Sequence, residues 1–178
     1  MAGQSVIIDS LEASATRFTT SFHGLTQAQF HFKARPEKWS IAETAEHVTL
    51  SETGSGRLIR GRLIREAPPP DLLAATVGAE ARMEASLGTR NGNFPAPEIV
   101  LPTGRWSTPE EVARAFEESR RATIQFLSTT VLDLTQYAAP HPALGPLNGH
   151  QWALFLVLHA NRHVEQIEES KLASGYPG

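Results

Sequence analysis

Apolar positions recur at helical spacing in four long stretches of the chain. In the first, residues 4–23, Ile7, Leu11, Phe18 and Phe22 share one stripe, Ala15 fills it, and Gly24 is a stop signal. The second runs from 41 to about 66, with Ile41, Ala45, Val48 and Ile59 as its stripe. Ser40-Ile-Ala-Glu43 has the S-x-x-E form of a capping box, in which Ser40 accepts from the Glu43 amide and the Glu43 side chain reaches back. Trp39 anchors the approach to this helix, and Pro68-Pro-Pro70 ends it. Gly54-Ser-Gly56 lies inside it. Each glycine costs about 0.8–1 kcal/mol against alanine, so a kink or a close backbone approach is expected there. The third stretch opens on Thr108-Pro109-Glu110-Glu111, which supplies a cap, a proline at the first helical position and a reciprocal glutamate. It runs to about 131, with Val112, Phe116, Thr123, Leu127 and Val131 inward. The fourth starts at Asn148-Gly-His-Gln151 and runs to about Ala173.

The segments between these helices are rich in turn formers. Residues 24–39 form a connector around Pro36. Leu72, Leu73, Val77, Ala81 and Met83 predict a short helix over 71–86. Asn91-Gly-Asn-Phe-Pro-Ala-Pro97 and Pro102-Thr-Gly104 then mark a long crossover. Long loops in compact domains are often functional, so this one is expected to overhang a site. Residues 133–148 form another loop, proline-rich from Pro140 to Pro146. No segment shows β alternation, and no repeat is evident. The expectation is an all-α single domain over residues 1–178: a four-helix bundle of antiparallel type, with a long connection between the second and third helices.

Composition narrows the classes of function. The chain has 178 residues, 40% hydrophobic and 20% charged, an ordinary globular balance. A net charge of -3 without a Lys/Arg block argues against a nucleic-acid surface. Arg57, Arg60, Arg62 and Arg65 read as a solvated helix face. The chain has no cysteine, which excludes disulfides, thiolate nucleophiles and thiolate zinc sites. Any transition-metal site must therefore use His, Asp and Glu. The N-terminus lacks a basic region followed by an apolar core, so no signal peptide is read. The longest apolar run, Trp152 to Leu158, is too short for a membrane span. A cytoplasmic protein is expected.

The candidate chemistry lies in the fourth helix. His159 and His163 are just over one helical turn apart, so both rings leave one face. With seven histidines in the chain, such a pair arises easily by chance. Its setting adds weight, because Trp152, Leu156, His159, His163 and Ile167 share the stripe that faces the core. Buried imidazoles need partners for both nitrogens. Two readings stay open: a shared metal ion, or two core histidines bonded to carbonyls and carboxylates. His47, one turn beyond the capping box, is the natural third ligand. It lies well round from the centre of its helix's stripe, so a surface role also stays open. Glu43 and Gln166 are placed to orient an imidazole or contact a ligand, with capping the alternative role for Glu43. Glu46, Glu52, Glu165 and Glu168 read as solvated, and His23, His31, His141 and His150 receive no metal role. The chain has no Walker-type phosphate loop, no G-x-S-x-G, no H-E-x-x-H and no paired Glu-x-x-His.

Trp39-Ser-Ile-Ala-Glu-Thr-Ala-Glu-His47, His141-Pro-Ala-Leu-Gly145, and Gln151-Trp152 followed by His159-x-x-x-His163-x-x-Gln166-Ile167 resemble the DinB/YfiT-like superfamily. The resemblance extends from the first helix to about Leu172. It implies a four-helix bundle with a long link between helices two and three. It also implies a divalent metal held by His47, His159 and His163, with zinc first and nickel or iron as alternatives. Relatives include bacillithiol- or mycothiol-dependent S-transferases, a mycothiol-dependent maleylpyruvate isomerase and metal-dependent hydrolases, and members are often homodimers. The function so implied is a thiol S-transfer or hydrolysis on a small electrophilic molecule, with a low-molecular-weight thiol or water as nucleophile. The alternative is a non-enzymatic, stress-related bundle that binds metal or a small ligand.

Overall fold

A computed structural model describes residues 2–88 and 95–178 of the chain. In chain order its helices are α1 (Ala2–Thr20), α2 (Gln27–Phe30), α3 (Ile41–Arg60), α4 (Pro70–Ala74), α5 (Ala79–Met83), α6 (Pro109–Thr129) and α7 (Gly149–Lys171). Two strands, β1 (Ala138–His141) and β2 (Gly145–Asn148), pair antiparallel between α6 and α7.

Local chemistry sets the helix starts. Ser40, Thr108 and Asn148 each accept from the third helical amide, and Glu43, Glu111 and Gln151 reach back to the cap amide. Thr26 and Gln29 form the same box on α2, inside a stretch that reads from sequence as plain connector. The C-terminal ends fall short of their predicted positions. Helix α3 stops at Arg60, where Gly61 leaves helical geometry, and a 3-10 turn covers Arg62–Ile64. Helix α6 stops at Thr129, which leaves Val131, predicted inward, 98% exposed. The helix expected over 71–86 is broken into α4, α5 and a π-helical turn, Glu84–Gly88. Gly78, at a φ of 74°, starts α5 in the left-handed region, and Val77 is exposed. Of the predicted apolar set there, Met83 is fully buried. The turn residues Asn91–Phe94 lie outside the described residues.

The four long helices form a bundle in which α1 and α3 each pack against both α6 and α7. Side-chain contacts fix the directions. Phe18, late in α1, packs on Phe116, early in α6, and Gln4 bonds to Leu127 near the end of α6. These helices are therefore antiparallel. Arg120 bonds Leu11 of α1 and Leu156 of α7, while Arg17 pairs with Glu165 one end further along, so α1 and α7 run parallel. Helix α3 runs parallel to α6, because Glu52 pairs with Arg120 while Arg60, two turns further along α3, reaches Thr123, one turn past Arg120. Because α6 runs against α1 and α7 runs with it, α3, parallel to α6, is antiparallel to α7. The antiparallel expectation is met between α1 and α6 and between α3 and α7, whereas α1–α7 and α3–α6 are parallel. A parallel neighbour requires the chain to travel back along the bundle, about 30 Å for a helix of 20 residues. The 61–108 crossover does this.

The apolar core is divided into two clusters, one around Leu11, Ile59, Leu127 and Trp152, the other around Phe18, Phe22, Phe116 and Ile167. At the level between them lies a buried ion pair. Arg120 Nε and Nη2 donate to the two oxygens of Glu52 at 2.9 and 2.7 Å. Its other donors reach Leu11 O, Ser14 Oγ and Leu156 O. The fork thus joins all four long helices with its donors satisfied. Glu52, expected in solvent, is 2% exposed. Arg60 departs from the expected solvated face as well: it is half-buried and donates to Thr123 Oγ1 and Ser119 O. Gly56 explains why a glycine sits beside them. A Cβ there would come 2.6 Å from Thr123 Oγ1 and 3.0 Å from Arg60 Nη1. The close approach foreseen for Gly54-Ser-Gly56 therefore falls at Gly56 and comes from side chains. A Cβ on Gly54 would meet nothing within 4 Å.

Candidate metal centre

The antiparallel contact of α3 with α7 sets one imidazole against two. His159 and His163 project one turn apart from α7, with ring centroids 4.6 Å apart. His47 of α3 lies 5.1 Å from the first ring and 5.0 Å from the second. One ligand nitrogen from each comes within 4.8 Å of the others. His47 and His163 are buried, and His159 is partly so. His47 had left a surface role open; it is 6% exposed, between the flank of α3 and the crossover.

Hydrogen bonds fix which nitrogens face inward. His47 Nδ1 lies 2.9 Å from Val100 O, and a carbonyl only accepts, so this nitrogen carries the proton. His163 Nδ1 likewise lies 2.9 Å from Gln166 Oε1. In both rings the Nε2 lone pair is left free. His47 Nε2 then stands 3.2 Å from His159 Nε2. At this distance His159 in its Nε2–H tautomer donates to His47 Nε2, and a cation would take the place of that one proton. Burial also disfavours protonation: it lowers His47, takes His163 down to about 3, and with the neighbouring imidazoles holds His159 well below 6.5. The cluster brings one ligand nitrogen from each of three neutral imidazoles within 4.8 Å of the others, and such a donor set fits a divalent ion.

The outer bonds come from different places than the sequence suggested. Gln166 orients His163. The Glu43 carboxylate is taken up by the Ser40 amide and Lys33 Nζ, so it caps α3 and does not touch an imidazole. The carbonyl that orients His47 belongs to Val100, in the crossover. Glu46, expected in solvent, is 3% exposed and holds that crossover in place. Its carboxylate accepts from the amides of Thr103, Gly104 and Arg105 and from the Thr103 hydroxyl. Trp39 packs on His47 with centroids 4.9 Å apart. Glu165 and Glu168 are surface residues paired with Arg17 and Lys171.

The three imidazoles lie in the wall of a cleft of about 940 Å³. Gly54, Ser51 and Leu58 of α3 line it on one side, and Trp152, Phe155 and Arg162 of α7 on another. The crossover contributes Leu87, residues 95–97, Ile99 and Val100, and the 133–148 segment contributes residues 141–144. Both long connections therefore border the cleft. That second segment is the hairpin of β1 and β2, with Pro140 opposite Pro146. His141, given no metal role from sequence, packs on Phe155 at 4.5 Å and on Trp152 at 5.1 Å. Phe155 in turn stacks on His159 at 5.0 Å. Burial lowers His141 to about 4. Its signal in the sequence was the His-Pro pair in a proline-rich loop, which hides strand character.

Comparison with known proteins agrees with the bundle fold. The family model described as the DinB superfamily matches residues 10–167. YuaE of Bacillus subtilis strain 168, an uncharacterized protein, is 23% identical over 148 residues, covering 83% of this chain and 86% of its own. Among solved structures, YfiT from Bacillus subtilis superposes with a TM-score of 0.64 at 15% identity, covering 98% of this chain and 89% of that one. YfiT is described as a probable metal-dependent hydrolase with an unusual four-helix bundle topology.

Proposed function

We propose that this chain, which belongs to the DinB superfamily, is a divalent-metal-dependent enzyme acting on a small electrophilic molecule. One observation carries the reading: three neutral imidazoles from α3 and α7 bring one nitrogen each within 4.8 Å of the others in the wall of a cleft sized for a small ligand. His47, His159 and His163 hold the ion, with zinc the first choice for an all-imidazole set. When bound, a divalent ion with no anionic protein ligand supplies a strong Lewis acid that lowers the pKa of a water or thiol.

The chain's own residues do the rest. Val100 O and Gln166 Oε1 fix the tautomers of His47 and His163, so both present Nε2 without rearrangement. Trp152, Phe155 and Leu58 give the substrate an apolar wall and keep bulk water from one side of the centre. The nucleophile is a water, as the hydrolase description given to YfiT supports, or a low-molecular-weight thiol.

Two measurements test this. His159→Ala should lower bound zinc, read by elemental analysis of the purified protein, from about one per chain to a small fraction. Stoichiometric metal in that variant would sink the assignment. Incubation of the zinc-loaded protein with an electrophilic ester or epoxide, with and without thiols, separates the two nucleophiles. Turnover without thiol rejects the transferase version, and thiol-dependent turnover rejects hydrolysis.

A further inference from the structure

His141 is outside the three-imidazole cluster but lines the same cleft. Its Nδ1 accepts from the backbone amides of Ala143 and Leu144, each at 3.2 Å. A nitrogen that accepts carries no proton, so the neutral ring holds its hydrogen on Nε2. The hairpin turn, through two amides on one atom, thus selects a single tautomer. The two nitrogens of an imidazole diverge, so with Nδ1 turned into the turn, Nε2–H is turned away from it. Among the described residues no acceptor receives that hydrogen. The ring itself is held against Phe155 and Trp152, and Phe155 stacks on His159. A fixed donor beside an aromatic wall, one ring away from the imidazole cluster, is a recognition element.

We propose that His141 is a substrate-binding residue whose Nε2–H donates to an sp2 oxygen, a carbonyl or carboxylate, on a planar apolar ligand packed against Phe155 and Trp152. The apolar body follows from the wall, and the oxygen from a donor that no described protein group takes up. The inference shares with the proposed function only the choice of this cleft as the binding site. It does not depend on a metal.

The full-length protein is titrated with benzoate and benzamide, which share the planar ring and sp2 oxygen and differ in charge. Binding is followed by calorimetry and by the nitrogen resonances of the imidazoles. Asparagine places its Oδ1 where the histidine places Nδ1, so His141→Asn keeps the acceptor for the two turn amides and removes the Nε2–H, its own Nδ2 falling short at the place of the ring Cδ2. Wild-type His141 should show the Nε2–H tautomer, and that hydrogen should shift with either ligand. H141N should bind both at least fivefold more weakly, with its thermal midpoint and metal content unchanged. His141→Ala, which loses both functions, should weaken binding as much and also lower the midpoint. An Nδ1–H tautomer, no binding of either probe by the wild type, or wild-type affinity in H141N overturns the proposal, as does a loss confined to benzoate. Metal analysis of the same samples keeps the outcomes apart, since the metal reading fails in His159→Ala and this one fails in H141N.

Discussion

The Glu46 carboxylate accepts from three consecutive backbone amides, Thr103, Gly104 and Arg105, at 2.9–3.2 Å. These amides follow Val100, whose carbonyl receives the His47 Nδ1–H. Glu46 and His47 are neighbours on α3, and both grip the same crossover. The carboxylate therefore acts on the imidazole through the segment it holds, and its effect should appear as metal affinity. Glu46→Ala frees the 103–105 amides to water, because that stretch is exposed, so the stability loss should be modest, about 1–2 kcal/mol in urea unfolding. Loss of the Val100 partner should weaken metal binding by roughly 10–100-fold, read by chelator competition. Glu46→Gln keeps one acceptor oxygen and should fall between. Wild-type affinity in Glu46→Ala would separate the crossover from the metal centre.

At the scale of elements, the two glycines of α3 should behave oppositely. A Cβ on Gly54 enters open space at the cleft, so Gly54→Ala gains only helix propensity, and the protein should be about 0.5–1 kcal/mol more stable. Gly56→Ala pushes a methyl into Thr123 Oγ1 and Arg60 Nη1, and overpacking should outweigh the same gain by about 1–3 kcal/mol. Equal effects in chemical denaturation would refute the packing argument. These elements also divide what the sequence could and could not tell. The long helices and their capping boxes were legible because each signal spans a few residues. The spacing of His159 and His163 was legible for the same reason. Glu46 and Glu52 were misread because the partners that bury them lie 57 and 68 residues away. The hairpin was missed because its strands are four residues long and pair proline with proline, which erases alternation. The position of His141 in the cleft is not legible in the sequence, because it depends on that hairpin.

At the scale of the whole molecule, the α1, α3, α6, α7 arrangement brings four histidines with depressed pKa values into one cleft. The linkage has a definite sign. In the unfolded chain each imidazole protonates near 6.5, whereas in the folded one burial keeps His141 neutral to about 4 and His163 to about 3. His47 and His159 are shifted the same way. Between the unfolded and folded values the unfolded state binds more protons, so stability rises with pH and falls on acidification through that window. The stabilising difference is fully present above about pH 6.5 and is lost as pH drops toward the folded values. Chelator-treated protein should therefore lose roughly 1 kcal/mol each for His141 and His163 between pH 7 and 5.5 in urea unfolding, before most carboxylates titrate. A bound ion adds a second dependence in the same direction. Zinc in excess should raise the midpoint at pH 7, because it binds the folded chain through neutral nitrogens. The low imidazole values mean that protons compete poorly in the folded state, so that gain should persist well below pH 6.5. A metal-induced stabilisation that disappears near pH 6.5 would show that the three imidazoles titrate like solvated ones, and that burial does not hold them ready for a cation.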